Sequence, residues 1–333
     1  MNNKVTIIIP FNALNPYVFE SIQGCLQLDY LRFLIVLLPD ASIHLPKKFK
    51  DKKIKICVTG KENISVKRNL GMAKYPDTDY YAFIDSDAYP TRDWLSNAIK
   101  ALSQDINLWA AGGPNLCPPT DPLLQKAAGN ALKSFLVLGS KTFHKKIAPN
   151  RYCEMLPTCN LIVKNEAVKK IGYFNESLDC AEDTEFCNRI QEQHKKIFFD
   201  NKVIVYHHNR TLYSPFIIQR IIRGFFSFKL LKENFCIANL FYAIPALFVL
   251  FLIIGVGLSI FYPLIRMGWL FIVGIYLLAI LVETFRYSEK LCEFPLTFLA
   301  ILLGNLLPGV GSLIDLLGLE IDVKRLFNNY NKS

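Results

Sequence analysis

Two carboxylates one residue apart, Asp85 and Asp87, follow the apolar run Tyr80-Tyr81-Ala82-Phe83-Ile84. Alternate residues of an extended chain share a face, so both can present oxygen to one hard divalent cation, and such a cation could hold a diphosphate. Asp-Ser-Asp ahead of Pro90 is equally good turn chemistry, with Asp85 capping the turn and Asp87 solvated. The run itself reads as a buried strand, and open α/β sheets bind ligands at the carboxyl ends of their strands.

The surrounding sequence supplies the elements such a site needs. Val5 to Ile9 reads as a first strand, Tyr17 to Leu28 as a helix and Phe33 to Leu38 as a second strand. Lys53 to Val58 is a further strand, Ser65 to Lys74 a helix, and Trp94 to Leu102 a helix after the acidic strand. A β-α-β rhythm implies a largely parallel sheet. Asn107 to Pro122, rich in Gly and Pro, reads as a mobile loop. Pro157 to Val163 and Lys196 to Tyr206 supply more strand around a helix from Asp183 to Gln193.

The 333 residues are 52% hydrophobic, with a mean hydropathy of +0.24, above ordinary soluble composition. Leu240 to Tyr262 contains no charged residue and is long enough to cross a bilayer; Met267 to Val282 and Phe294 to Leu319 are further membrane segments. Three full spans would leave Lys324, Arg325 and Lys332 on the far side, against the positive-inside tendency. Pro308-Gly309-Val310-Gly311 is therefore expected to interrupt the third segment and turn it back. Between Tyr213 and Phe235, apolar residues mix with Arg220, Arg223, Lys229 and Lys232, as in an interfacial helix, or in a core helix whose basic residues face water. The net charge of +10 gathers beside this anchor and no nucleic-acid motif accompanies it, so membrane electrostatics explains it and nucleic acid is not an expected partner. The amino terminus has an apolar run too short for an export signal, which places the hydrophilic part in the cytosol, with the nine cysteines as free thiols. Cys180 and Cys187 lack a second pair for zinc.

Over residues 4 to 230 these blocks together resemble family 2 glycosyltransferases of the GT-A fold, an α/β Rossmann-like mixed sheet here followed by C-terminal transmembrane helices. Val5-Thr6-Ile7-Ile8-Ile9-Pro10-Phe11-Asn12 is similar to the family's first strand and sugar-nucleotide loop, which implies Pro10 and Asn12 near the donor. Leu37-Leu38-Pro39-Asp40-Ala41-Ser42 stands where the family has Asp-Asp-Gly-Ser; it keeps the second acid, and the resemblance implies that Asp40 hydrogen-bonds the nucleotide base. Ser65-Val66-Lys67-Arg68-Asn69-Leu70-Gly71 resembles the Ala-Arg-Asn-x-Gly helix. Arg68 there is either a donor fork for the diphosphate or an ordinary salt-bridged residue. Phe83-Ile84-Asp85-Ser86-Asp87 resembles the DxD motif, so Asp85 and Asp87 are implied ligands of Mg2+ or Mn2+.

Pro157 to Lys164, continuing to Ile171-Gly172-Tyr173-Phe174-Asn175-Glu176, resembles the segment ahead of the catalytic acids, with Asn160 touching a substrate or closing a turn. Cys180-Ala181-Glu182-Asp183 is similar to the family's Glu-Asp motif, which implies Asp183 as catalytic base; helix capping is the plainer role. Val203-Ile204-Val205-Tyr206-His207-His208 resembles the Val-Tyr-His strand, implying His207 at the metal or diphosphate, with His208 behind it. Gln219-Arg220-Ile221-Ile222-Arg223-Gly224 lacks the Gln-x-x-Arg-Trp of processive members, which favours single addition.

The resemblance implies a catalytic domain over 1–212, an amphipathic region over 213–236 and a membrane domain over 237–333. The implied protein is a multi-pass plasma (inner) membrane enzyme with a cytoplasmic catalytic domain. It would transfer a sugar with inversion from a nucleotide-diphosphate donor to a lipid-linked or glycan acceptor in cell-surface polysaccharide assembly. Transfer to a polyprenyl phosphate and a non-catalytic membrane subunit are the competing expectations, and the reading admits a homo-oligomer.

Overall fold

The computed structural model describes residues 3–178, 181–233 and 237–319. Cys180, Cys236, Lys324, Arg325 and Lys332 lie outside the described residues. The seven described cysteines are all free thiols. Contacts divide the chain into two units, Met1–Pro119 with Phe143–His208, and Thr120–Thr142 with Asn209–Ser333.

In the first unit the strands are β1 (Val5–Phe11), β2 (Phe33–Pro39), β3 (Ile54–Ile56), β4 (Tyr80–Phe83), β5 (Ala88–Pro90), β6 (Leu108–Gly112), β7 (Asn115–Leu116), β8 (Arg151–Cys153), β9 (Leu161–Lys164), β10 (Lys196–Phe199) and β11 (Val205–His207). Its helices are α1 (Pro16–Leu26), α2 (Ile64–Lys74) and α3 (Trp94–Gln104). After α4 (Leu123–Lys133) and α5 (Phe135–Leu138), which belong to the second unit, come α6 (Asn165–Ile171) and α7 (Glu182–Glu192).

Eight strands form one sheet in the order β3-β2-β1-β4-β9-β6-β10-β8, and β5-β11-β7 form a small second sheet. β1 pairs in parallel with β2 and β4, whereas β9 enters between β4 and β6 antiparallel to both, so the sheet is mixed. β1 is buried along its whole length because helices cover both faces. Its side chains alternate: Ile7 and Ile9 join a core with Val18, Ile22, Trp94 and Ile99, while Ile8 joins another with Met72, Val168, Phe186 and Ile190. Helix starts follow local chemistry, since the Asn15 and Asn63 side chains accept from Val18 N at 3.0 Å and Val66 N at 2.9 Å.

The expected loop over Asn107 to Pro122 is corrected: Leu108–Gly112 is strand β6, buried at all five positions. The glycines mark close backbone approach. A Cβ on Gly112 would collide with the Asn160 carbonyl, and one on Gly113 with those of Asp200 and Val203.

The second unit adds α8 (Ser214–Glu233), α9 (Ile244–Phe261), α10 (Pro263–Tyr287) and α11 (Phe294–Leu316) to α4 and α5. Three helical stretches, Leu240–Phe261, Pro263–Tyr287 and Leu291–Leu316, are long and apolar enough to cross a membrane. The expected break at Pro308 is absent: α11 runs continuously through it. Proline has no N–H to give the carbonyl four residues back, which is that of Gly304. Arg220 on α8 supplies the missing donors, Nε at 3.2 Å and Nη2 at 2.9 Å from the Gly304 oxygen, with Nη2 also 3.3 Å from the Val137 oxygen. Arg220, expected beside the lipid surface with its basic neighbours, is thus only 3% exposed, while Arg223, Lys229 and Lys232 are exposed. Close packing permits the contact, because a Cβ on Gly224 would collide with the Pro308 carbonyl and one on Gly311 with that of Ile221.

Candidate active site

Strand β4 ends at Phe83, and the turn after it, closed by Ala88 N donating to the Asp85 carbonyl at 3.1 Å, presents Asp85 and Asp87. The small sheet brings the third group. β11 pairs antiparallel with β5, setting His207 opposite Ala88, and His207 Nε2 lies 3.2 Å from Asp87 Oδ1. Ligand atoms of Asp85, Asp87 and His207 all fall within 4.8 Å of one another. Burial, above all, holds the Asp85 carboxyl above its usual range, with Arg68 and His207 pulling it down and Asp87 and Glu182 pushing it up. For His207 burial lowers the pKa, but the neighbouring Asp87 carboxylate and Cys159 thiol outweigh it and raise the imidazole to about 10.

Helix α2 connects this cluster to the acids of α7. Arg68, 1% exposed, places Nη2 3.1 Å from Asp85 Oδ1 and Nη1 2.8 Å from Glu182 Oε1, with its guanidinium 5.6 Å over the Phe174 ring. The fork that sequence left between diphosphate and salt bridge is engaged here by two carboxylates. Ala181, at φ 63° in the left-handed region, turns the chain into α7 so that Glu182 and Asp183 open its first turn, where the helix dipole favours negative charge. Asp183 Oδ1 accepts from Thr184 N at 2.7 Å. Burial, followed by the Glu182 charge, raises Asp183 to about 6, with Asp85 close enough to add to the rise. Metal-edge acids and the Glu-Asp pair therefore share one electrostatic cluster.

Sequence reasoning missed Lys67. Its ammonium, 2% exposed, contacts Asp40 Oδ1, donates to the Phe11 carbonyl at 2.8 Å and to Asn12 Oδ1 at 3.3 Å. It thereby joins the loops after β1 and β2, with Pro10 buried inside β1 beside them. Asn69 completes the row: it donates to the Phe174 carbonyl and to Glu176 Oε1, both at 2.9 Å, and accepts from Phe174 N at 3.0 Å, tying α2 to the segment leading to α7. The available signal was α2 itself. A helix inside an α/β unit without an apolar stripe must bury polar groups, and buried polar groups need partners.

Two expectations change. His208 points away from the cluster, with Nε2 2.7 Å from Glu20 Oε2 and its ring 4.3 Å from that of Tyr17. Asn160 is fully buried and accepts from Trp94 Nε1 at 2.8 Å while donating to the carbonyls of Val203 and Pro114 at 2.8 and 3.3 Å, which makes it a core strut.

Comparison with known proteins places this geometry. Residues 6–152 match the model of glycosyl transferase family 2. The pre-mycofactocin glycosyltransferase of Mycobacterium tuberculosis is 27% identical over 158 residues, covering 47% of this chain and 32% of that protein. An uncharacterized glycosyltransferase of Haemophilus influenzae is 26% identical over 120 residues, covering 34% of this chain and 48% of that protein. The chain thus spans less than half the length of these curated relatives. Among solved structures, the mannosyltransferase PcManGT from Pyrobaculum calidifontis, in complex with GDP-Man and Mn2+, superposes with a TM-score of 0.50 at 14% identity, over 100% of this chain and 80% of that one, a likeness of fold. The mixed sheet and the matched segment agree: residues 6–152 are similar to glycosyl transferase family 2, and the fold is of the GT-A kind.

Proposed function

We propose that the protein is an inverting, metal-dependent glycosyltransferase that moves a sugar from a nucleotide-diphosphate donor to a lipid-linked glycan acceptor. The observation that carries this reading is the single cluster in which Asp85, Asp87 and His207 converge while Arg68 links Asp85 to the acid beside Asp183.

Two carboxylates and an imidazole within 4.8 Å form a hard oxygen and nitrogen donor set that suits Mg2+ or Mn2+, a cation there taking the place of the proton that Asp87 favours on His207, and it would also offset the burial, foremost, and the neighbouring acids that raise Asp85. Asp85, Asp87 and His207 would hold such a cation, which when bound would supply charge stabilisation to a departing diphosphate. The mannosyltransferase of like fold was solved with GDP-Man and Mn2+, which supports a divalent ion and a nucleotide-diphosphate sugar for this chain.

The chain's own residues do the rest. Asp183, with a pKa of about 6, is mostly ionised at neutral pH and basic enough to accept the proton of an attacking hydroxyl. Attack opposite to the leaving group inverts the anomeric centre. Arg68, paired with both Glu182 and Asp85, fixes the acid beside Asp183 relative to the carboxylate at the strand edge. Lys67 sets Asp40 and Asn12 for the nucleotide, with the Asp40 carboxylate accepting an N–H of the base. Helices of the second unit anchor the enzyme in a membrane, where a lipid-borne acceptor meets it at high effective concentration.

Incubation with a panel of nucleotide sugars, Mn2+ and polyprenyl-diphosphate-linked acceptors tests the reading. A glycosylated lipid carrying one added sugar supports it. Turnover only on a bare polyprenyl phosphate, or no product with any donor, overturns it.

A further inference from the structure

Helices α9 and α10 form a hairpin whose register is fixed by two pairs placed symmetrically about Tyr262. A Cβ on Gly255 would collide with the Trp269 ring, and the Phe248 ring lies 4.7 Å from that of Tyr276. Depth along the hairpin can therefore be counted from Tyr262 at about 1.5 Å per residue.

Helix α11 meets the hairpin at two named places. The Phe294 ring lies 4.4 Å from that of Phe285, and Gly309 abuts the Pro245 carbonyl and Val249. On the same helical rise, Phe285 is ~35 Å from the turn, Pro245 ~26 Å and Val249 ~20 Å. From Phe294 to Gly309 the chain advances ~23 Å along α11 but climbs only ~9–15 Å along the hairpin, an inclination of roughly 50–65°. At that slope the whole of α11, ~35 Å long, covers ~14–23 Å of depth, short of the ~30 Å hydrocarbon core.

The partner of α11 points the same way. Along it runs α8, in step from Arg220 at Gly304, through Gly224 at Pro308, to Lys232, whose ammonium lies 2.7 Å from Asp315 Oδ2. A transbilayer α11 would carry the exposed Arg223, Lys229 and Lys232 toward the hydrocarbon, where a charged residue is strongly disfavoured. In its most apolar stretch α11 is 44% buried inside the protein, against 17% and 6% for the helices of the hairpin, so it offers lipid far less surface than they do.

We infer that α9 and α10 alone cross the bilayer and that α11 lies obliquely beside α8 in the interfacial layer, with Arg223, Lys229 and Lys232 among phosphate-bearing headgroups. Arg220 is the device that makes this possible, since it keeps α11 unbroken at Pro308 and fastens it to the basic helix. The inference rests on the membrane-anchored reading above and assigns Leu319 to the side of the membrane on which α8 begins.

Sealed vesicles containing the full-length chain, with Lys61→Cys, Tyr262→Cys or Leu319→Cys, are treated with a membrane-impermeant maleimide, and the labelled peptides are read by mass spectrometry. Lys61→Cys, the native exposed Cys292 and Leu319→Cys are expected to label from one side, and Tyr262→Cys only after permeabilisation. Leu319→Cys labelling from the side of Tyr262→Cys overturns the inference and leaves the membrane anchor standing. Tyr262→Cys labelling together with Lys61→Cys removes the anchor itself. Carboxypeptidase digestion of the unsubstituted chain probes the same topology without any substitution: trimming from the side that labels Cys292 is expected, and protection on that side contradicts the inference.

Discussion

Among the described residues two arginines are almost wholly buried, one in each unit, and they do opposite things with the same fork. Arg68 faces carboxylates, Asp85 and Glu182, so its charge is compensated by the acids it holds in the candidate site. Arg220 faces backbone carbonyls, those of Gly304 and Val137, and repairs a helix that a proline would otherwise leave short of a donor. The contrast teaches that burial of a guanidinium says nothing of its purpose. What it faces decides: ionisable partners mean a site whose charge can be rearranged by a ligand, and main-chain partners mean architecture.

The largest effect is expected beside the first arginine. Asp183→Asn should lower kcat by roughly 10²- to 10⁴-fold, the usual contribution of a general base. It should also raise Tm at neutral pH: the folded-state pKa of Asp183 lies above the unfolded value of 3.8, so its stabilising contribution is present below that value and is lost as pH rises through about 6. Steady-state kinetics and a thermal melt read both, and wild-type turnover would remove the base assignment. Next comes Arg68→Met, which leaves Asp85 and Glu182 without their shared partner; a loss of about 3 kcal/mol in chemical unfolding is expected, with part of it recovered by saturating Mn2+. If metal recovers none of it, the link between the arginine and the ion site is wrong.

The second arginine gives a smaller, differently shaped result. Arg220→Met should cost about 1–3 kcal/mol by stranding the Gly304 carbonyl, and metal should not restore it. Pro308→Ala returns an N–H to that carbonyl, so Arg220→Met in a Pro308→Ala background should cost less than in the wild type. Strict additivity in the double-mutant cycle would show that the two residues do not share the carbonyl.

The mildest test is pH. With Asp183 as the proposed base, active only when ionised, kcat/KM should fall on the acid side through an apparent pKa near 6, and a flat profile from neutrality down to pH 5 would count against it.

Legibility followed the reach of each signal. Asp85, Asp87 and the strand ahead of them were readable because a carboxylate pair at the end of an apolar run is contained in a few adjacent residues. Asp183 and His207 were readable through ordered family blocks, and the structure sets both among those acids. Lys67 was not, because its partners Phe11, Asn12 and Asp40 lie far away in sequence and only the sheet brings them to α2. Asn107 to Pro122 misled because Gly and Pro mark close backbone packing as well as loops, and Gly112 and Gly113 serve the former. Arg220 misled because its neighbours Arg223 and Lys229 are surface residues of an ordinary kind, and nothing local tells a proline's missing hydrogen bond from a turn.

The central claim is that Asp85, Asp87 and His207 hold a cation through which the donor is bound beside Asp183. Calorimetric titration of the cognate nucleotide sugar into wild type and Asp87→Ala, each with and without Mn2+, tests it most directly. Donor binding should require Mn2+ in the wild type and be lost in Asp87→Ala at the same Mn2+ concentration, while equal binding with and without the ion, or unchanged binding in the variant, would contradict the account.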